Sequence, residues 1–214
     1  MKASIICIQT LCGKITPVGF GSQKDRRFLE KMRDETDATL LGATSLRVGD
    51  PEFRGTDGRI PQGRIRAIVS GSGDIPSNKR IFARGPVPMV FTSSLAYEKL
   101  SKRLGQRAKV FALSESESGE LNLKEALKVL SDHGVKRLLI EGGGKLNYLS
   151  LKQGIVDEII VTIAPKVRTS GKGVPLIHGD LDLGKPFLDL DLLWSYVEPT
   201  TGEIFVRYKV KKGE

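Results

Sequence analysis

The chain has 214 residues, of which 39% are hydrophobic and 28% charged, with 34 Lys and Arg against 25 Asp and Glu for a net charge of +9. A chain of that length buries most of its apolar surface without covalent staples, and one domain is the simplest division of residues 1–214. Mixed charge between recurrent aliphatic runs excludes disorder, no apolar run approaches the roughly 18 residues of a membrane span, and the short run after Met1 makes no signal peptide, so a cytoplasmic location is expected.

The β-branched run Ala3 to Gln9 predicts a buried strand, followed by a glycine-containing loop from Thr10 to Gly21. Ser22 predicts a helix N-cap with Asp25 at the capping-box position, and the helix runs to about Glu35 with Phe28, Leu29 and Met32 on one face. Ala38 to Gly42 reads as a short buried strand, and Gly49 to Gly63 as loop. Arg64 to Ser70 and Pro88 to Thr92 read as strands. Ser93 then caps a helix carrying Leu95, Leu100 and Leu104, and Lys109 to Leu113 is a further strand. Asn122 with Glu125 three residues on predicts a second capping box, for a helix that Gly134 stops.

Lys136 to Ile140 predicts a buried strand, Glu141-Gly142-Gly143-Gly144 opens a helix reaching Gly154, and Asp157 to Ala164 is a strand ended by Pro165. Residues 165 to 190 have little period. Leu192 to Glu198 and Glu203 to Val210 flank Pro199-Thr200-Thr201-Gly202, a hairpin signal. Strands alternating with helices imply an α/β fold: a mostly parallel central sheet with helices on both faces and a C-terminal antiparallel hairpin.

Cys7 and Cys12 are five residues apart, an odd separation that puts them on opposite faces of a strand and argues against a disulfide. Two cysteines and two histidines, His133 and His178, are too few and too scattered for a zinc site, so no metal is expected. The basic residues are spread along the chain and aromatic content is 6%, which disfavours a nucleic-acid surface and suits a site for a small polyanion.

In open α/β sheets ligands bind at the C-terminal ends of the strands. Three such ends carry suitable chemistry: Gly42-Ala43-Thr44-Ser45, Ser70-Gly71-Ser72-Gly73 and Glu141-Gly142-Gly143-Gly144. Glycines at a helix N-terminus let backbone N–H groups meet phosphate, and Lys145 adds a positive charge beside them. A tight turn with no ligand fits the same residues. The turn is neither the G-x-G-x-x-G fingerprint, since position 147 is Asn, nor a P-loop. Glu141 either caps the nearby N–H groups or contacts a ligand. Lys14 either polarises a substrate or lies on the surface. Arg33, Arg47, Asp50 and Arg54 come from the first helix and the loop after Gly42, and the arginines among them offer guanidinium forks that suit phosphate.

Taken in order, these pieces resemble the reductase domain of riboflavin biosynthesis, within the dihydrofolate-reductase-like superfamily. The resemblance rests on Thr10-Leu11-Cys12-Gly13-Lys14-Ile15, on Asp37 to Arg47 closed by Asp50-Pro51, and above all on Leu138 to Asn147. It continues through Gly154-Ile155-Val156-Asp157-Glu158 and Ile163-Ala164-Pro165. It implies a dihydrofolate-reductase-like fold, NADPH as hydride donor, a phosphoribosylaminopyrimidine whose ribose is reduced to ribityl, and a homodimer. It implies a cofactor groove of Gly42, Thr44, Ser70, Thr92, Gly142, Gly143, Gly144, Lys145, Leu146 and Asn147. Arg33, Asp50 and Arg54 would face the substrate, Arg33 and Arg54 at its phosphate, with Lys14 and Glu141 assisting proton movement as the sugar ring opens. The chain departs from the pattern at Cys12, where Asp is usual, at Gly49, where an acidic residue is common, and at Thr44, where Gly is common. Those changes keep open a related reductase of another pteridine or pyrimidine; the basic charge keeps open a non-catalytic nucleotide- or nucleic-acid-binding protein. The zinc signature of a deaminase is missing from the sequence.

Overall fold

The computed structural model describes residues 1–15, 20–169, 173–179, 183 and 187–211. Its elements in chain order are β1 (Lys2–Thr10), β2 (Lys14–Ile15), α1 (Gln23–Asp34), β3 (Ala38–Gly42), α2 (Ala43–Gly49), β4 (Ile65–Ser70), β5 (Met89–Ser93) and α3 (Ser94–Leu104). They continue as β6 (Lys109–Leu113), α4 (Leu123–Asp132), β7 (Arg137–Ile140), α5 (Gly144–Lys152), β8 (Glu158–Ala164), β9 (Val174–Pro175), β10 (Leu190–Val197) and β11 (Ile204–Val210). Nine strands form one sheet in the order β10-β11-β8-β1-β7-β3-β4-β5-β6, and β2 pairs with β9. From β8 to β6 every neighbouring pair is parallel, while β11 runs antiparallel to both β8 and β10.

The strands are apolar on both faces, as a parallel sheet between helices demands. Ala3, Ile5, Leu40, Val69, Phe91 and Ile140 pack with Leu123, Ala126 and Leu130 of α4 and Leu146 of α5. On the other face, Leu41, Ile68 and Val90 pack with Leu46 of α2 and Leu100 and Leu104 of α3. Ile6, Leu139 and Ile160 pack there with Phe28, Leu29 and Met32 of α1.

Both expected capping boxes form differently. The Ser22 hydroxyl accepts from Lys24 N and Asp25 N, but the Ser22 N–H donates to Glu203 Oε1 at 2.9 Å rather than to Asp25. Glu125 accepts from the N–H and hydroxyl of Ser114 while the Asn122 N–H goes to the Ser114 carbonyl, so this carboxylate ties the preceding loop to α4. Leu95 is exposed, unlike Leu100 and Leu104. α2 stands between the strand ending at Gly42 and the loop expected from Gly49, where the sequence reading assigned no helix; it is a short helix held by fully buried Leu46 and ended by Asp50 in the left-handed region, φ 48°. The C-terminal hairpin lies against α1 through edge-on rings, with Phe28 5.9 Å from Trp194 and 4.9 Å from Phe205. Both cysteines are free thiols. Among the described residues, no helix is long and apolar enough to cross a membrane and no three His, Cys, Asp or Glu side chains group as a metal site.

Candidate active site

β3 and β7 are neighbours in the sheet, and their ladder extends one step past β7. Glu141 N donates to Leu40 O at 2.9 Å, and Gly42 N to Gly142 O at 3.0 Å. There the chains part. α2 leaves toward one face of the sheet and α5 toward the other. This is a topological switch point, where an open parallel sheet splays a crevice at its carboxyl ends. A cleft of about 1030 Å³ occupies it, lined by the ends of β1, β3 and β4, by the Gly142 to Leu146 turn and by one face of α1. That volume is at the upper end for a small-molecule site, enough for two ligands side by side.

The backbone around the turn is exposed to the cleft because glycines build it. Gly142 has φ +78°, a conformation that other residues rarely adopt. A Cβ on Gly143 would stand 3.2 Å from Ser45 Oγ, and one on Gly144 would stand 2.5 Å from the Pro175 carbonyl. The segment at 174–178 therefore lies directly on the turn, and His178 N donates to Gly144 O at 3.1 Å. The first N–H groups of α5 have no partner inside the helix, and the helix dipole makes its start a site for anions. Lys145 and Arg47 add cations to the wall. Arg47 is held by Asp74 and donates to Thr44 Oγ1 at 2.9 Å.

Below the turn, Glu141 is not free. Arg33 Nε and Nη2 meet its two oxygens at 2.7 and 2.6 Å, with the side chains only 2% and 8% exposed. Burial works against the Arg33 cation, but Glu141 outweighs it and holds the guanidinium pKa above its usual value. Thr39 Oγ1 donates to Glu141 Oε1 at 3.3 Å and accepts from Arg64 Nη2 at 2.5 Å. Arg64 also donates to the Arg33 and Thr36 carbonyls, and burial pushes its own pKa down to about 10. Arg33 Nη1 reaches the Arg54 carbonyl at 3.2 Å, and the cation sits 5.4 Å from the centre of the Phe53 ring.

Of the residues singled out from the sequence, the cleft brings together Arg33, Glu141, Gly42, Thr44, Ser70, Gly142, Gly143, Gly144, Lys145 and Leu146. Five others stand off its walls. Thr92 is fully buried and donates to Ser70 O at 2.7 Å, supporting the wall from behind. Asn147 is fully buried and donates from Nδ2 to Leu176 O at 2.9 Å, fixing the overlying segment. Asp50 accepts from Arg80 N and Nε at 2.9 and 3.1 Å, which holds its pKa low against the opposing effect of burial. Arg54 pairs with Glu52 at 3.0 Å, and Lys14 lies in the strand pair β2–β9. The phosphate role expected of Arg33 meets a guanidinium edge already filled by Glu141. The phosphate role of Arg54 meets one filled by Glu52.

The cleft also has wall residues that the sequence reading did not assign to it. Asp25 and Leu29 line it beside Arg33 from one face of α1, at the i, i+4, i+8 spacing that would have grouped them. Burial raises the Asp25 pKa to about 6, with Glu203 adding to the shift and a hydrogen bond from Thr162 opposing it. Cys7 lines the cleft as well, its thiol pKa pushed up by burial.

Comparison with known proteins fits this geometry. A 2,5-diamino-6-ribosylamino-4(3H)-pyrimidinone 5′-phosphate reductase from Methanothermobacter thermautotrophicus is 30% identical over 210 residues, spanning 94% of each chain. The crystal structure of a pyrimidine reductase-like protein from Corynebacterium diphtheriae superposes with a TM-score of 0.80 at 24% identity, over 99% of this chain and 92% of that one. Dihydrofolate reductase from Enterococcus faecalis, complexed with NADP(H), superposes with a TM-score of 0.55 at 12% identity, over 99% and 97% of the two chains, so the fold is dihydrofolate-reductase-like. The RibD C-terminal domain profile matches residues 7–195, and this chain belongs to that family.

Proposed function

We propose that this protein is an NADPH-dependent reductase of riboflavin biosynthesis that converts the ribosyl group of a phosphorylated 2,5-diamino-6-ribosylaminopyrimidinone to ribityl. The observation that carries the reading is the glycine turn at the start of α5, facing Gly42 across the switch point and opening on a cleft with room for two ligands.

The residues present fit a dinucleotide. The glycine turn at the start of α5 lines the cleft, a helix start favours anions, and Arg47 and Lys145 supply positive charge on the same wall. When bound, NADPH supplies the hydride that reduces C1′ of the opened sugar. The chain's part is to hold, orient and dry the reactants. Ser70 at the end of β4, Ser72 on the loop after it, and the Gly142 to Leu146 turn hold the cofactor side. The Arg33–Glu141 pair forms the floor between the two sides, and its carboxylate oxygens accept hydroxyl hydrogens of the sugar. Ile6, Ile8, Ile15 and Leu29 exclude water from the substrate side.

The same reading includes a homodimer. β10 is an edge strand of the sheet with Leu190, Leu192, Leu193, Tyr196 and Val197 exposed along it, a surface of the kind that a second copy covers.

The deciding experiment is a fluorescence titration with NADPH and NADH. It is followed by addition of the diaminopyrimidinone phosphate and measurement of reduced-nicotinamide absorbance. Tight NADPH binding with substrate-dependent oxidation is expected. Retention on DNA without NADPH binding would instead favour a nucleic-acid-binding protein.

A further inference from the structure

The cations are spread along the chain, but the carboxylates that offset them are not. Residues 47–109 hold 13 of the 34 Lys and Arg and only 5 of the 25 Asp and Glu, which places a surplus of eight there out of the net +9. This stretch runs from α2 to the start of β6. Its apolar residues Leu46, Phe53, Ile75, Ile81, Leu100 and Leu104 pack on one face of β3, β4 and β5, so the surplus charge is gathered on the outside of one layer.

Within that layer Asp50, Glu52 and Asp74 are already held by Arg47, Arg54, Arg80 and Arg84. The remaining cations collect on the loop that follows β4. Gly73 seats this loop on α3, where a Cβ would come within 2.8 Å of the Ala96 Cβ. Arg103 Nη2 donates to Gly73 O at 2.5 Å, Arg107 Nη1 to Ser77 O at 3.2 Å, and Lys79 Nζ to Arg47 O at 2.6 Å. Carbonyl groups orient these side chains but carry no net charge to neutralise them. Lys99, exposed on α3, is four residues before Arg103 and so lies on the same face of the helix. The loop they surround begins at Ser70, Gly71 and Ser72 on the cleft wall, whereas Lys79, Lys99, Arg103 and Arg107 lie off that wall.

Charges of one sign beside a cleft with low-dielectric walls focus the field into it and raise the local concentration of counter-charged ligand. Resting on the reductase reading above, we propose that the surface formed by loop 71–80 and the outer face of α3 is an electrostatic guide for the cofactor. It draws the phosphate-bearing end of the dinucleotide toward the Ser70 to Ser72 wall before any contact is made. NADPH differs from NADH by one phosphate monoester, about 1.5 to 2 further negative charges at neutral pH. A guide of this kind therefore favours NADPH in the association rate, and the preference it confers is lost when salt screens the field. The four cations act at a distance and touch no ligand.

The test is stopped-flow measurement of kon and koff for NADPH and NADH, with ionic strength raised from about 0.01 to about 0.5 M. In the wild type, kon for NADPH is expected to fall at least about tenfold over that range, kon for NADH distinctly less, and koff little for either. Lys99→Glu is expected to lower kon for NADPH about threefold at low salt, to leave koff unchanged, and to converge on the wild type at high salt. Arg103→Gln with Arg107→Gln, which keeps amide donors but removes two charges, is expected to do the same. Lys136→Glu makes the same charge change as Lys99→Glu on an exposed residue just before β7, at the opposite end of the sheet from the cleft, and is expected to alter neither rate. Melting temperatures check that each variant is folded. A kon for NADPH that ignores salt overturns the guide, as does a Lys136→Glu variant that slows as much as Lys99→Glu. Losses that fall in koff also overturn it, because they mark contact residues. Each of these outcomes leaves the reductase reading standing; failure to bind either nucleotide overturns both.

Discussion

Arg33 and Glu141 stand 108 residues apart in sequence and meet through two hydrogen bonds, 2.7 and 2.6 Å, at the floor of the cleft. One comes from the last turn of α1 and the other from the residue after β7. Removing either leaves a buried charge unpaired, which costs about 3–5 kcal/mol. Glu141→Ala and Arg33→Ala should each lower stability to urea by that order, and Glu141→Ala should also abolish reduction. The double substitution Arg33→Met with Glu141→Leu should recover much of the stability but none of the activity. Unfolding curves and reduced-nicotinamide absorbance measure the two effects separately.

Gly143→Asp should weaken NADPH binding at least tenfold, about 1.4 kcal/mol, because it sets a negative charge at the helix start proposed above to hold the cofactor's phosphates. Its Cβ would meet only the Ser45 hydroxyl, at 3.2 Å, which can turn aside, so the variant should fold. Unchanged NADPH affinity in the folded variant would remove the glycine turn from the cofactor site.

The Asp25 pKa, raised from 3.8 to about 6, carries a sign for stability. The folded protein holds this proton more tightly than the unfolded chain does. Asp25 therefore contributes stability that is fully present below pH 3.8 and is lost as pH rises through about 6. Asp25→Asn should then gain stability relative to wild type across that window, reaching on the order of 3 kcal/mol at neutral pH. Paired melting curves at several pH values test it, and a gap that narrows with rising pH contradicts it.

Cys12 is exposed, and hydrogen bonds from the Thr10 hydroxyl and the Arg168 N–H lower its pKa, whereas burial raises that of Cys7. Thiolate is the reactive form. Iodoacetamide at neutral pH should alkylate Cys12 first and leave Cys7 until the protein unfolds. Thr10→Val should slow the Cys12 reaction. Mass spectrometry of timed samples reads both.

Leu193→Lys, on the exposed edge of β10, should shift the protein from dimer to monomer in analytical ultracentrifugation with little change in Tm. A monomeric wild type would overturn the dimer reading.

Much of the fold was legible because its signals are local. Ser22, Ser93 and Asn122 are N-caps as their sequence contexts indicate, and the strand at 38–42 has the expected limits. α2 was missed because its buried anchor, Leu46, stands among Thr44, Val48 and Gly49, which favour no helix. β2 and β9 were missed because two residues carry no period. The glycine turn was legible as a tight strand-to-helix connection because backbone freedom is written in residue type. The pairings of Arg33 with Glu141, Arg54 with Glu52 and Asp50 with Arg80 were not, because side-chain commitments across the fold leave no mark on local spacing. The same holds for Glu203, whose approach to Ser22 across 181 residues released Asp25 from its cap.

α1 presents Asp25, Leu29 and Arg33 to the cleft from two and a bit turns of one rigid rod. At about 1.5 Å per residue the two charged ends are separated by about 12 Å along the axis. The helix is a ruler. It fixes the span between the Asp25 carboxylate and the Arg33–Glu141 ion pair on the cleft wall, and no loop movement can stretch it. Inserting one residue between Asp25 and Arg33 would turn one mark about 100° away from the cleft and spoil the measure without touching either residue.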